Sequence, residues 1–230
     1  MSKSKRKKQT GLFSSENIVV MGVGAVIVAL VLIVLSGGFA PPAAVVTNDD
    51  RALESCNGKP CPSKGSANAP VVVIEFSDYA CHNCRDFNVE KASALDREYV
   101  ETGKVRYVSH IFALWPESQP SAAAAFCAQE QSKYWEFHQQ AFFNFQESSF
   151  PARDDFLKWA QLAGLDTPAF QTCVDSGRYS YDAQVSTLEG KRAGINTTPS
   201  FLINGKVLQG NAPLSDFRAA IETALAEAQP

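Results

Sequence analysis

Residues 71–84 read VVVIEFSDYACHNC, and no other stretch limits the possible architecture as strongly. The run Val71-Val72-Val73-Ile74-Glu75-Phe76 is β-branched and apolar, the pattern of a strand buried on both faces. Ser77-Asp78-Tyr79-Ala80 follows, and then Cys81-His82-Asn83-Cys84. Residues 85–102 carry Phe87, Ala92, Leu95 and Tyr99 at helical spacing, and Gly103 ends that helix. Residues 105–111, VRYVSHI, form a second strand. The order is strand, C-x-x-C at a helix start, helix, strand. From 118 to 194 the chain reads as helices, covering 121–144, 153–163, 168–175 and 179–193, with Gly164 and Gly177 as stops. Ser200-Phe201-Leu202-Ile203 and Lys206-Val207-Leu208 flank Asn204-Gly205, a strong hairpin signal. Residues 213–228 close the chain as an amphipathic helix with Leu214, Phe217, Ile221 and Leu225 on one face. The expectation is an α/β domain over 70–228 with a helical insertion at about 118–194.

The amino-terminal part is of another kind. No charged residue occurs between Glu16 and Asp49, and residues 18–35 are almost wholly aliphatic, broken only by Gly22 and Gly24. Eighteen residues span roughly 27 Å as a helix, close to a bilayer core of about 30 Å. Residues 1–40 hold five Lys/Arg against one acid, a charge of +4, while the rest holds 16 against 23, a charge of −7. This predicts a basic cytoplasmic tail at 1–17, one transmembrane signal anchor at 18–40, and export of everything after it to the outer face of the cell membrane. A cleaved signal peptide is the competing reading. It has a shorter apolar core and a small-residue site, which Pro41-Pro42 interrupts here. The net charge of −3 gives no bulk attraction to nucleic acid.

Residues 41–69 are rich in Gly, Pro, Ser, Asn and small side chains without a persistent period, and read as a linker. Cys56 and Cys61 within it flank Asn-Gly-Lys-Pro, a turn-prone tetrapeptide. A local disulfide that tidies the linker is one role for this pair. A shuttle that trades electrons with the main domain or a membrane partner is the other.

A cysteine at a helix start meets unpaired backbone N–H groups and the positive end of the helix dipole, which stabilise a thiolate. Cys81 is therefore the expected attacking and leaving sulfur, and Cys84, one turn inside, the resolving thiol. His82 either adds to this when protonated or is simply solvent-exposed. Glu75, a carboxylate in an apolar strand, should have a raised pKa and could move a proton to or from Cys84. Thr197-Thr198-Pro199 precedes the hairpin. A cis Thr198–Pro199 bond would expose the Thr198 backbone as a strand-like edge for a substrate cysteine peptide.

These features together resemble the thioredoxin superfamily, and the helical insertion resembles its DsbA-like branch. The resemblance covers about residues 68–228 and rests on V-V-V-I-E-F, Cys81-His82-Asn83-Cys84, F-C-A-Q-E-Q-S-K-Y-W-E-F-H and G-I-N-T-T-P-S-F-L-I-N-G. It implies a thioredoxin fold with a helical insertion, Cys81 as nucleophile, Cys84 as resolving thiol, Glu75 as the buried acid, and Pro199 as a cis-proline preceded by Thr198. It also implies an extracytoplasmic thiol–disulfide oxidoreductase that acts on reduced exported proteins. A quinone-coupled membrane protein of DsbB or VKOR type would reoxidise it. The best-known members carry Pro-His between the cysteines where this chain has His82-Asn83, so their oxidising strength does not carry over. A reductase or isomerase of the same fold is the nearest alternative.

Cys127 and Cys173 fall in two expected helices of the insertion. In an exported domain such leftover thiols pair, and similar proteins of this branch sometimes staple the insertion in this way. Phe112, Trp115, Tyr134, Trp135, Phe137, Phe142, Phe143 and Phe145 are expected mostly as core, with a minority lining an apolar groove near Cys81. His110 and His138 have no ligand spacing and read as structural. No phosphate-binding Gly loop, G-x-S-x-G elbow or H-E-x-x-H occurs, and no cofactor or metal is expected. Two other function classes differ in what they require. A zinc site would use Cys56, Cys61, Cys81 and Cys84, and a copper site Cys81, Cys84 and a His. A redox-inert chaperone would keep full activity without Cys84.

Overall fold

A computed structural model describes residues 50–144 and 149–228. The expected cytoplasmic tail, the membrane anchor, residues 41–49 of the linker and Phe145 lie outside the described residues. Among the described residues no helix is long and apolar enough to cross a membrane.

Residues 50–69 are not the free linker that their composition suggests. A 3₁₀ turn at Asp50–Glu54 leads into a small hairpin, β1 (Ser55–Cys56) and β2 (Lys59–Pro60), and then β3 (Ser63–Lys64). Long-range contacts fix this segment where its own pattern could not. The amide of Gln129 donates to the Pro60 carbonyl at 2.7 Å, and the Ser109 backbone donates to the Pro62 carbonyl at 2.8 Å. Lys59 and the Asn57 side chain both meet Asp182, at 2.5 and 2.9 Å.

The main chain of elements then runs β4 (Val71–Ser77), α1 (His82–Glu90), α2 (Ala92–Leu95), β5 (Val105–Ile111), α3 (Gln119–Glu130), α4 (Tyr134–Phe143), α5 (Arg153–Leu162), α6 (Thr167–Ser176), α7 (Ser180–Arg192), β6 (Ser200–Ile203), β7 (Lys206–Gln209) and α8 (Leu214–Glu227). The helix expected over 85–102 starts three residues earlier and breaks at Lys91, ending in a π turn at Asp96–Val100. The stretch 121–144 is two helices, because Ser132 takes a left-handed conformation (φ 58°) and the Lys133 amide turns back to the Ala128 carbonyl.

The five-stranded sheet has the order β3-β5-β4-β6-β7. β4 lies parallel to β5 and antiparallel to β6, with Glu75 opposite Ser109 on one side and Phe201 on the other. β4 is thus central and covered on both faces, as its unbroken apolar run requires. Asn204 and Gly205, both at positive φ (43° and 79°), make the turn between β6 and β7.

Alternation along β4 divides the core. Val71 and Val73 pack with Phe87, Tyr107, Phe201 and Phe217 beneath α1 and α8. Ile74 and Phe76 pack with the helical insertion, including Phe126, Phe137, Phe142 and Trp159. Gly190 lets α7 approach this second face: a Cβ there would meet the Phe112 ring at 2.8 Å. Glu75 belongs by parity to the first face, under α1.

Candidate active site

The cysteines form three pairs in two chemical states. Cys56–Cys61 and Cys127–Cys173 are disulfides, with Cα atoms 5.1 and 5.9 Å apart. Cys81 and Cys84 are free thiols, both buried.

Cys81 occupies the N-cap position of α1, where a side-chain acceptor is favoured because the first helical N–H groups lack partners. Its sulfur accepts from the Cys84 backbone N–H at 3.4 Å, and its thiol lies 3.4 Å from the Thr198 carbonyl oxygen. The Cys84 thiol hydrogen-bonds the Cys81 sulfur and is the main cause that holds Cys81 down to about 7. Burial opposes this, and the contacts with Thr198 and the Cys84 amide assist. Burial pushes the Cys84 thiol well up, and its bond to Cys81 adds to the rise. One sulfur is thus ready to carry charge at neutral pH while its neighbour retains its proton. That division suits attack, mixed-disulfide formation and resolution.

The Thr198–Pro199 bond is cis and sits beside Cys81. Thr198 is buried, and its hydroxyl has no hydrogen-bond partner among the described residues. His82 lies on the exposed side of α1, with Nε2 3.2 Å from Asp86.

Glu75 is fully buried. Burial raises its pKa, opposed by hydrogen bonds from Ser77, Tyr107 and Asn88. Tyr107 donates to Oε2 at 2.7 Å and Asn88 to Oε1 at 2.8 Å. The same Asn88 amide donates to the Cys84 carbonyl at 3.0 Å, so Glu75 is tied to the backbone of the resolving cysteine rather than to its sulfur.

The acid nearest the cysteine pair is one that pattern reading passed over. Asp78 is fully buried three residues before Cys81, and desolvation raises its pKa. Its Oδ1 accepts from the Ala80 N–H at 2.8 Å, and Oδ2 accepts from the Leu114 N–H and the Ser118 hydroxyl, both at 2.5 Å. Its carbonyl accepts from the Cys81 N–H at 3.0 Å, and its own backbone N–H favours the charged form of the Cys84 sulfur, against the rise that burial causes. The Asx-type bond to Ala80 was the available signal, since Asp two residues before a turn amide commonly makes it.

Sequence spacing also hid a buried polar cluster behind Asn88. His138 Nε2 lies 3.0 Å from Asn88 Oδ1, and its Nδ1 lies 3.1 Å from the hydroxyls of both Tyr79 and Tyr134. Tyr134 continues to Ser109 at 2.6 Å. Burial holds His138 down to about 3, so it is a neutral hydrogen-bonding link. Phe112, Phe137 and Phe142 are core, whereas Trp115 and Phe143 are exposed. Trp115 stacks edge-on against Phe150, ring centres 6.0 Å apart, next to the Leu114 amide held by Asp78.

The four-cysteine zinc arrangement is not formed. Cys56 and Cys61 are bonded to each other, and their neighbour is His110 rather than Cys81 or Cys84. Among the described residues, Cys56, Cys61 and His110 are the one group with metal-binding proximity, their ligand atoms lying within 4.8 Å of one another. Sulfurs joined in a disulfide present no thiolate to a metal.

The sequence pattern of the thioredoxin family matches residues 59–223. The chain is 30% identical over 173 residues to the Na(+)/H(+) antiporter NhaA 3 of Salinispora tropica, a match covering 72% of this chain and 25% of that protein. The chain therefore spans about a quarter of that relative's length. It is 24% identical over 191 residues to the disulfide bond formation protein D of Bacillus subtilis, covering 76% of this chain and 84% of that one. The crystal structure of oxidised BdbD from Bacillus subtilis has the same fold, with a TM-score of 0.67 at 21% identity over 72% of this chain and 93% of the other.

Proposed function

The chain belongs to the thioredoxin family, and we propose that within it the chain works as a DsbA-like thiol–disulfide oxidoreductase that donates the Cys81–Cys84 disulfide to exported proteins. One observation carries this reading: Cys81 caps a helix beside the Thr198 carbonyl of the cis Thr198–Pro199 bond with its pKa held to about 7, while Cys84 is buried behind it with its own pushed up. The Bacillus relative named for disulfide bond formation supports the same reading.

In the oxidising direction a substrate thiolate attacks Cys81 Sγ of the disulfide. A substrate–Cys81 bond forms, the Cys81–Cys84 bond breaks, and the Cys84 thiolate takes a proton. A second substrate thiol then loses its proton and attacks its own partner sulfur, releasing the Cys81 thiolate. The substrate loses two electrons and gains a disulfide, and the protein becomes the dithiol. Stabilising that thiolate favours the reduced protein, which makes the disulfide an oxidant. The Thr198 backbone beside Cys81 holds the substrate segment, and the Trp115–Phe150 pair gives it an apolar surface. We place the domain outside the cytoplasm, held by residues 18–40 as a membrane anchor, with a quinone-coupled membrane protein of DsbB or VKOR type as reoxidant. The aliphatic length and the basic residues before it support this placement.

A glutathione redox titration of the full chain, read by alkylation and mass, tests the direction. A potential near about −120 mV supports a disulfide donor, and one near about −270 mV makes it a reductase.

A further inference from the structure

Far along the chain from the C-x-x-C turn, β5 carries His110 into a second buried cysteine pair. Its Nε2 lies 2.9 Å from the Ser186 carbonyl oxygen and 3.2 Å from the Ser186 hydroxyl, its Nδ1 2.9 Å from the Leu53 carbonyl oxygen, and Nδ1 again 3.6 Å from Cys61 Sγ. A neutral imidazole has a single N–H and can serve only one of these carbonyls; an imidazolium serves both. Burial alone disfavours that charge and keeps His110 below the ordinary histidine value. A charged ring here needs an anion beside it. Of the acids around the hairpin, Glu54 pairs with Arg106 and Asp182 with Lys59; Glu189, held by the Asn57 backbone amide at 2.9 Å, favours the charged ring from a distance, but not enough to offset burial. The atom against the ring that can become an anion is Cys61 Sγ, once its bond to Cys56 opens.

We propose that Cys56–Cys61 is a second redox centre, in which Cys61 is released as a thiolate onto His110 when a dithiol reduces the bond. The incoming thiolate attacks Cys56 Sγ, so a reductant–Cys56 bond forms and the Cys56–Cys61 bond breaks. The reductant's second thiol then attacks its own bonded sulfur, leaving as a disulfide and releasing Cys56. Two electrons pass to the pair. Of the two protons given up by the reductant, one ends on Cys56 and the other on His110. The thiolate–imidazolium pair stabilises the dithiol and so makes this disulfide easier to reduce. The hairpin has two residues in each strand, with an exposed tip at Gly58 and Lys59. Cys56 itself is buried and the tip is tied to Asp182 and Glu189 through Lys59 and Asn57, so the reductant reaches Cys56 as these tip contacts open. The inference rests on the hairpin and His110 alone and stands apart from the reading of Cys81 and Cys84.

The test titrates the full chain with dithiothreitol, quenches with an alkylating agent and maps each pair by peptide mass. Cys56–Cys61 should open at a reduced-to-oxidised ratio at least about tenfold milder than Cys127–Cys173, with the circular dichroism of the folded chain retained. Opening only together with Cys127–Cys173, or only on unfolding, overturns the proposal. In ¹⁵N-histidine NMR at pH 7, both His110 ring nitrogens should carry protons in the reduced chain and one in the oxidised chain. A neutral ring in the reduced chain overturns it as well. His110→Asn should move the Cys56–Cys61 equilibrium about tenfold toward the disulfide. If that variant does not fold, the NMR reading on the unaltered chain decides.

Discussion

Cys81 and Cys173 are both nearly buried cysteines with a partner in the same chain, and they differ in what surrounds the sulfur. Cys81 sits before the first turn of its helix, where the Cys84 N–H is free to reach it. Cys173 sits well inside α6, where backbone N–H groups are spent on the helix, and its sulfur lies 3.7 Å from a Glu130 carboxylate oxygen. A thiolate is favoured at the first position and opposed by a like charge at the second. The same element is thus a redox centre at a helix start and a staple in a helix interior. The contrast locates reactivity in the local field and not in the pairing itself.

The largest effect that could break this contrast comes from the sulfurs. Cys81→Ser should lower the rate of substrate oxidation by more than about 10³-fold, while Cys127→Ala/Cys173→Ala stays within about threefold, both followed by the refolding of a reduced substrate protein. Equal losses would erase the distinction. The double alanine variant should instead lose about 4 kcal/mol of stability to denaturant, from a loop of 46 residues. Next, Glu75→Gln, which loosens the Asn88 bridge to the Cys84 carbonyl, should slow resolution of the mixed disulfide by roughly tenfold in rapid-quench mass measurements without moving the titration of Cys81. Asp78→Asn removes a negative charge that raises the Cys81 pKa, so the alkylation rate of Cys81 at pH 6 should rise by about two- to tenfold. A fall would contradict the sign. The smallest effect belongs to His82→Ala, since His82 is half exposed and faces Asp86: less than about threefold in the same assay.

The parts legible in sequence were those with a local cause. The β-branched run gave the central strand, the C-x-x-C gave the helix start, and Asn204-Gly205 gave the hairpin. The parts that stayed hidden depend on residues brought together from afar. Asn88 and His138 are 50 positions apart, and Cys61 and His110 are 49 apart. Neither pair has a spacing that local periodicity can carry. Residues 50–69 looked like linker because their anchors, Gln129, Asp182 and Glu189, lie on other helices. Asp78 was passed over because it stands in a turn, where acids are ordinarily solvated; burial between Leu114 and Ser118 sets it apart.

Because the folded pKa of Cys81 lies below the ordinary thiol value, its thiolate stabilises the reduced chain fully above about pH 8.5, and that contribution is lost as pH falls through about 7. The disulfide form lacks this dependence. The most direct check is the rate of Cys81 alkylation against pH in the reduced full chain, resolved by peptide mass. A midpoint near pH 7 is expected. A midpoint at or above about 8.5, the value of an unassisted thiol, would contradict the claim that the helix start and its neighbours activate Cys81.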